Sequence, residues 1–293
     1  MTDIGARFRA LHEADDIFLI PNPWDAGSAR MLTSLGFQAL ATTSSGFAAA
    51  IGKGDGATTR EEALANCRAI AAATPLPVNG DLEQGYGDRP EDAAETVHLA
   101  AEAGLAGCSI EDYSGTVIYD LGLAKERVAA AVEAARGLPA DFMLTARAEN
   151  LIRGRQDMDD TVKRLQAYES LGADVLYAPG LRNLNQVRLV TGSTSKPVNV
   201  LIGGTTDMTV PALAEAGVKR ISVGGALTWV AYGAMIKAAR GMLDEGRFDY
   251  GDTPGMQGIA TLLDARANDH SGQRSTFDLG ADRPKADAKG QRS

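Results

Sequence analysis

Short apolar runs alternate along this chain with longer stretches in which small apolar residues recur every three or four positions. Eight runs read as strands: IFLIPN (17–22), ALATTS (39–44), PVNGDL (77–82), GCSIED (107–112), FMLTAR (142–147), DVLYAP (174–179), PVNVLI (197–202) and RISVGG (220–225). Near-continuous apolar runs of this length suit parallel strands covered on both sides. The intervening stretches carry helical spacing. Ala93, Val97, Ala100 and Gly104 fall at intervals of four, three and four, which is one face of a helix. Thr59, followed by Arg60, Glu61 and Glu62, predicts a capped helix start with acids in its first turn. Gly172 in LGADVL and Gly217 in AGVKRI sit where a helix should end and a strand begin. Eight such units predict an α/β fold, a closed (β/α)8 TIM barrel, for which about 250 residues is typical. An open doubly wound sheet is the alternative. It usually carries Gly-x-Gly-x-x-Gly after its first strand, and PNPWDAGSAR (21–30) does not.

The pattern assigns residues 1–250 to the barrel and 251–293 to a C-terminal extension. From Asp264 to Ser293 the chain is polar with no apolar period, which predicts a tail partly disordered or ordered against a partner subunit. The full chain of 293 residues is 44% hydrophobic and 23% charged, a globular composition. Its apolar runs fall short of the roughly 20 residues a membrane helix needs, so no membrane partner is expected. The polar, acidic start predicts no secretion signal and a cytoplasmic protein. A net charge of −9 without a basic stripe argues against nucleic acid. Cys67 and Cys108 form no C-x-x-C pair and read as reduced and buried. His12, His98 and His270 do not end apolar runs, which leaves histidine-rich zinc chemistry without a home.

Barrel enzymes gather their chemistry at the C-terminal ends of the strands. The third expected strand ends in Asp81 and Glu83, the fourth in Glu111 and Asp112, and the fifth in Arg147 with Glu149 beyond. The sixth carries Tyr177, the seventh Asn199, and a glycine-rich loop after the second holds Asp55. Alternation along a strand puts Asp81 with Glu83, Ser109 with Glu111, and Thr145 with Arg147. Cys108 then faces the outer helices and reads as core. Carboxylates converging on one rim repel one another unless a cation or protons compensate. Hard oxygen ligands favour Mg2+, or Mn2+, over zinc.

The ordered set PNPWDAGSARML, SSGFAAAIGKGDG, GDLEQGYGD, SIED and ARAEN, spread over residues 17 to 245, resembles the isocitrate lyase/phosphoenolpyruvate mutase superfamily. The resemblance implies a barrel in which Asp81 and Glu83 hold Mg2+, with Asp55 and Glu111 assisting, partly through water. It implies that Ser45, Gly46 and Phe47 offer hydroxyl and N–H groups to a substrate carboxylate, and that Arg147 faces the reacting oxygens. Asn199 and Tyr177 complete the candidate substrate contacts. Members cleave or form C–C or P–C bonds beside a 2-oxo or 2-hydroxy acid by way of an enolate. Relatives pair through a swapped eighth helix into dimers or tetramers, and the apolar segment 226–243 suits such an extended helix.

This chain departs from the pattern in two places. The loop DYSGTVIYDLGLAKERV (112–128) lacks the Lys-x-Cys-Gly signature whose Cys serves the C–C lyases as acid/base; Tyr113, Ser114 and Tyr119 are the substitutes it offers. The sixth strand ends in LYAPGL, without the His of phosphonate-processing relatives. The expected function is therefore a Mg2+-dependent lyase or decarboxylase acting on a small 2-oxo or 2-hydroxy acid. A phosphonate mutase or hydrolase and a non-catalytic 2-oxo-acid binding protein are the alternatives. A Schiff-base sugar-phosphate aldolase fits less well, because Lys196 and Lys219 precede their strands and lie at the wrong end of the barrel.

Overall fold

The computed structural model describes residues 3–204, 206–251 and 255–264. Eight parallel strands are present: β1 (Phe18–Ile20), β2 (Leu40–Ala41), β3 (Val78–Asp81), β4 (Gly107–Glu111), β5 (Met143–Arg147), β6 (Val175–Tyr177), β7 (Val198–Leu201) and β8 (Arg220–Ser222). They pair in the order β1-β8-β7-β6-β5-β4-β3-β2. A backbone bond from Ala41 N–H to Pro21 C=O (3.1 Å) bridges the gap between β1 and β2, so the barrel is nearly closed. The helices are α1 (Ile4–Glu13), α2 (Ala26–Ser34), α3 (Ser44–Ala50), α4 (Arg60–Ala72), α5 (Pro90–Glu102), α6 (Leu121–Arg136), α7 (Met158–Ser170), α8 (Leu184–Gly192), α9 (Val210–Glu215), α10 (Ala226–Glu245) and α11 (Met256–Asp264). The (β/α)8 TIM barrel expected from the periodicity is the fold this chain adopts.

Local signals carry through. Thr59 caps α4, accepting from Glu62 N–H while the Glu62 carboxylate accepts from Thr59 N–H. Ala93, Val97 and Ala100 form the buried face of α5. Gly172 and Gly217 follow α7 and α9 with φ of 99° and 82°. One expectation is corrected. The second strand stops at Ala41, and the stretch read as the start of a glycine-rich loop is helix α3. Thr43 accepts from Gly46 N–H and so starts the helix early, and three alanines extend it.

Two apolar regions frame the site. One lies between strands and helices and includes Leu64, Val97, Cys108, Leu144 and Leu165. The other fills the lower barrel, where Phe8 of α1 meets Phe18, Ile20, Met143 and Val175. Helix α1 thus closes the barrel floor. It sits so close that a Cβ on Gly5 would lie 1.7 Å from the Asp141 carbonyl oxygen. His12 on the same helix is buried, and burial together with the nearby Arg220 lowers its pKa to about 3. Its neutral ring donates from Nδ1 to the Phe8 carbonyl (2.9 Å), leaving Nε2 to accept from Arg220 (3.3 Å).

Both cysteines are free and buried. Helix α10 is apolar but almost uncovered: Trp229, Val230, Met235, Ile236 and Leu243 are all exposed. The outward side chain of Leu19 on β1 is also exposed, so among the described residues no helix covers that part of the barrel wall. Helix α11 lies on α2, where Ser34 Oγ donates to the Leu262 carbonyl. The expected disordered or partner-bound tail lies, apart from Asp264, outside the described residues. Among the described residues no helix is long and apolar enough to cross a membrane.

If α1 is the barrel floor, Gly5→Ala must push it off. Overpacking of this kind costs about 1–3 kcal/mol, and calorimetry should show a clearly lowered unfolding midpoint. An unchanged midpoint would mean that α1 docks loosely.

Candidate active site

The inward positions of the upper barrel are polar. Register places Glu111 beside Arg147, Arg147 beside Tyr177, and Tyr177 beside Asn199. Arg147 is the hub. Its Nη1 donates to Asp81 Oδ1 (2.8 Å), its Nη2 pairs with Glu111 Oε1 (2.9 Å), and its Nε donates to Glu149 Oε1 (2.9 Å). The Tyr177 ring lies against the guanidinium at 4.8 Å. Arg153 makes a second bridge between Glu111 Oε2 (3.3 Å) and Glu149 Oε2 (3.1 Å), and it stacks on Tyr113 at 4.1 Å.

Each acid is further fixed from outside. Asp81 Oδ2 accepts from the N–H (3.0 Å) and the hydroxyl (2.9 Å) of Ser44, the first residue of α3. A helix N-terminus presents such donors to an anion. Asp112 accepts from Glu149 N–H, and it is held in turn by Arg164 and by the Tyr168 hydroxyl. Buried charges tolerate their setting only when paired in this way.

Glu83 is placed differently from the expectation. It lies beyond the end of β3 in a turn where its φ is 49° and that of Tyr86 is 59°, so strand alternation does not govern its direction. Left-handed backbone costs a side-chain-bearing residue about 1–2 kcal/mol. The turn is held by Gly85 N–H donating to the Leu82 carbonyl and by Glu111 N–H donating to the Glu83 carbonyl. The Glu83 carboxylate has Thr58 Oγ1 at 3.4 Å. Burial, then the charges of Asp81 and Asp55, raise its pKa to about 7. Glu111 and Glu149 are pushed upward as well, mainly by burial. A cavity of about 490 Å3 opens beside Glu83, lined by Thr58, Arg60, Gln84, Asp88 and Ser114 among others.

The structure therefore brings Asp81, Glu83, Glu111, Arg147 and Tyr177 together. Asp55 sits on an exposed turn whose charge reaches Glu83. Ser45 stands next to the Asp81 contact, its hydroxyl 3.3 Å from that of Thr43. The N–H groups of Gly46 and Phe47, expected to serve a substrate, are committed to Thr43 inside α3. Asn199 lies lower, accepting from Arg220 Nε and donating to Ser222 Oγ, so both ends of its amide are engaged. Three contributors went unassigned in the sequence. Glu149 follows Arg147 by two residues and Arg153 follows Glu149 by four, a spacing that signals the bridge. Ser44 follows the helix cap Thr43 and becomes legible only once α3 is known.

The residues suit a hydrated divalent cation better than one enclosed by protein. The donors near Asp81 and Glu83 are hard carboxylate oxygens, and Glu83 has no cation paired with it among the described residues. Among the described residues no group of three His, Cys, Asp or Glu side chains could hold an ion directly. The positive charge between Asp81 and Glu111 is the Arg147 guanidinium. Water would complete the shell of an ion held by Asp81 and Glu83, as is common for Mg2+.

An acid-rimmed (β/α)8 barrel with an arginine at the end of its fifth strand defines the class. The chain belongs to the phosphoenolpyruvate phosphomutase family, whose model matches residues 8–243. A Burkholderia cenocepacia J2315 structure, whose lyase/mutase assignment is provisional, is 47% identical with a TM-score of 0.87, covering 90% of this chain and 98% of that one. The structure of 2,3-dimethylmalate lyase, a member of the PEP mutase/isocitrate lyase superfamily, is 27% identical with a TM-score of 0.81, covering 90% and 95%. The 2-methylisocitrate lyase of Halalkalibacterium halodurans is 27% identical over 75% of each chain.

The raised acids predict how stability depends on pH. Because folding lifts Glu83 from an ordinary 4.5 to about 7, the folded protein binds a proton that the unfolded chain releases earlier. Stability is then greatest below about pH 4.5 for this group and falls as pH rises through 7. Unfolding midpoints in EDTA should decline across that window, and Glu83→Gln should flatten the decline. Equal slopes in the two proteins would contradict the burial of an acid here.

Proposed function

We propose that this protein is a Mg2+-dependent lyase that cleaves or decarboxylates a small 2-oxo or 2-hydroxy acid through an enolate. The observation that carries this reading is the Arg147 guanidinium fixed among Asp81, Glu111 and Glu149 at the barrel mouth. Breaking a C–C bond beside a 2-oxo group leaves negative charge on the enol oxygen. A donor already held in place stabilises that charge without reorganising. All three nitrogens of Arg147 are engaged by the acids, Nη2 by Glu111 and Glu149 both, which holds the guanidinium in place. Asp81 and Glu83 would hold the Mg2+, with Asp55 and Glu111 acting through water; when bound, it supplies a second positive charge against the developing enolate. Ser45 and Tyr177 stand beside these groups and complete the proposed substrate contacts.

The loop after β4 favours decarboxylation among lyase reactions. It is a short hairpin in which Tyr113 bridges Ile118, Tyr113 stacks on Arg153, and the Tyr119 hydroxyl donates to Asp88 (2.5 Å). When the carboxylate on C3 of a 2-oxo acid such as oxaloacetate leaves as CO2, the C–C electron pair forms the enolate and no base is needed; water then supplies the proton to C3, so a site without the loop cysteine remains competent for it. P–C chemistry is the second reading, supported by the match to the phosphomutase family.

The decisive assay incubates purified protein and Mg2+ with oxaloacetate, 2-hydroxy di- and tricarboxylates and phosphonopyruvate, reading pyruvate, glyoxylate and phosphate. Pyruvate from oxaloacetate supports the proposal, and phosphate from phosphonopyruvate supports the second reading. Tight binding of oxalate with no turnover of any substrate would make the protein a binder. In the active case Asp81→Ala abolishes metal-dependent turnover with the fold intact. Arg147→Lys lowers kcat more than it raises KM, because lysine lacks the planar fork; a change in KM alone would reduce Arg147 to a substrate anchor.

The bare α10 face and the uncovered Leu19 support a homodimer or larger homo-oligomer in which α10 of one copy covers the barrel wall of another. Light scattering should show an oligomer, and Val230→Asp should shift it toward monomer; a monomeric parent would remove this reading. The two free, buried cysteines suit the reducing cytoplasm.

A further inference from the structure

Arg127 on α6 is one of the largest fully buried side chains, and no carboxylate pairs with it among the described residues. Its Nη1 donates to the Arg89 carbonyl (3.0 Å) and its Nη2 to the Gln84 carbonyl. The Tyr119 ring lies 4.8 Å from its guanidinium, and its buried Nε has no partner. Removing such a charge from water is unfavourable, and an apolar side chain would fill the same space on α6 without that penalty. What the charge does here is grip backbone.

The two carbonyls bracket the loop that follows Glu83. Within that loop Glu83 and Tyr86 hold left-handed backbone that side-chain-bearing residues avoid. Other groups grip the same loop from neighbouring elements: Thr96 on α5 donates to the Gly85 carbonyl (2.7 Å), and Tyr119, at the base of the hairpin, donates to Asp88. Arg127 stands where these contacts meet, since it holds the loop with its fork and Tyr119 with its face.

We propose that Arg127 is a positioning residue that acts through the carbonyls of Gln84 and Arg89 to hold the strained 83–86 turn, so that Glu83 is aimed toward Asp81. The inference rests on the reading of Asp81 and Glu83 as a cation site, but its first test does not. Without the fork the turn relaxes toward right-handed backbone, and Glu83 leaves its place between Thr58 and Asp81. The fold persists, because the barrel strands do not depend on this contact.

The test uses the full chain with Arg127→Met, of similar length but without donors, and Arg127→Lys, which keeps the charge but not the planar fork. Hydrogen exchange of the metal-free protein reads the loop directly, because Gly85 N–H and Glu111 N–H are bonded within it and across to β4. In Arg127→Met these two amides should exchange at least about tenfold faster while β5 amides keep their rates. Mn2+ affinity, followed by the paramagnetic signal of the free ion, should fall about tenfold or more, as for other residues that orient a ligand indirectly. Arg127→Lys should recover part of both. Wild-type exchange at Gly85 and Glu111 in a folded variant would overturn the proposal. If the wild-type protein binds no Mn2+, the cation reading fails, while the exchange comparison still decides the role of Arg127. If Arg127→Met does not fold, Arg127→Lys decides, and wild-type exchange in that variant overturns the proposal equally.

Discussion

Three carboxylates converge on one buried guanidinium, and the upper half of the barrel is arranged around that fact. Asp81, Glu111 and Glu149 come from three successive βα units and meet at Arg147. Burial raises Glu83, Glu111 and Glu149, and neighbouring carboxylates add to the rise while Arg147 opposes it. A second arginine, Arg153, eases the imbalance on the side of Glu111 and Glu149. The side of Asp81 and Glu83 receives donors from Ser44 and Thr58 but, among the described residues, no second cation. The proposed chemistry builds on that asymmetry: a divalent ion would be held where Glu83 lacks a paired cation beside Asp81, and an anionic substrate would meet the guanidinium.

The rest of the fold supplies rigidity to this arrangement. Helix α1 closes the floor with Phe8 and a neutral His12, and Arg220 joins His12 to Asn199 and Thr145 inside the barrel. Asn199 thereby belongs to a buried network beneath the mouth. Above it, short strands end in rim residues whose directions are set by neighbouring loops as much as by strand alternation.

Much of this was legible in the chain because it is local. Eight apolar runs, the Thr59 cap and the glycines closing α7 and α9 follow from spacing and backbone preference alone. Alternation put Ser109 with Glu111 and Thr145 with Arg147, because all four lie within regular strands, and the register of β4 with β5 then brings Glu111 beside Arg147. Glu83 does not follow alternation, because its turn is left-handed and held by carbonyl contacts from α5 and α6, which are far away in sequence. Helix α3 was read as loop because its glycine and serines mask a cap at Thr43, and with it went the contact between Ser44 and Asp81. Sequence placed acids on one rim but could not show that Arg147 stands between two of them.

The central claim is that the acids of Asp81 and Glu83 are completed by a divalent ion while Arg147 meets the substrate anion. A crystal structure of the protein with Mg2+ and oxalate tests it most directly. The account predicts a single ion, largely water-coordinated, at Asp81 and Glu83, with the oxalate between it and Arg147. Oxalate seated on Arg147 with no ion beside those two acids would contradict it.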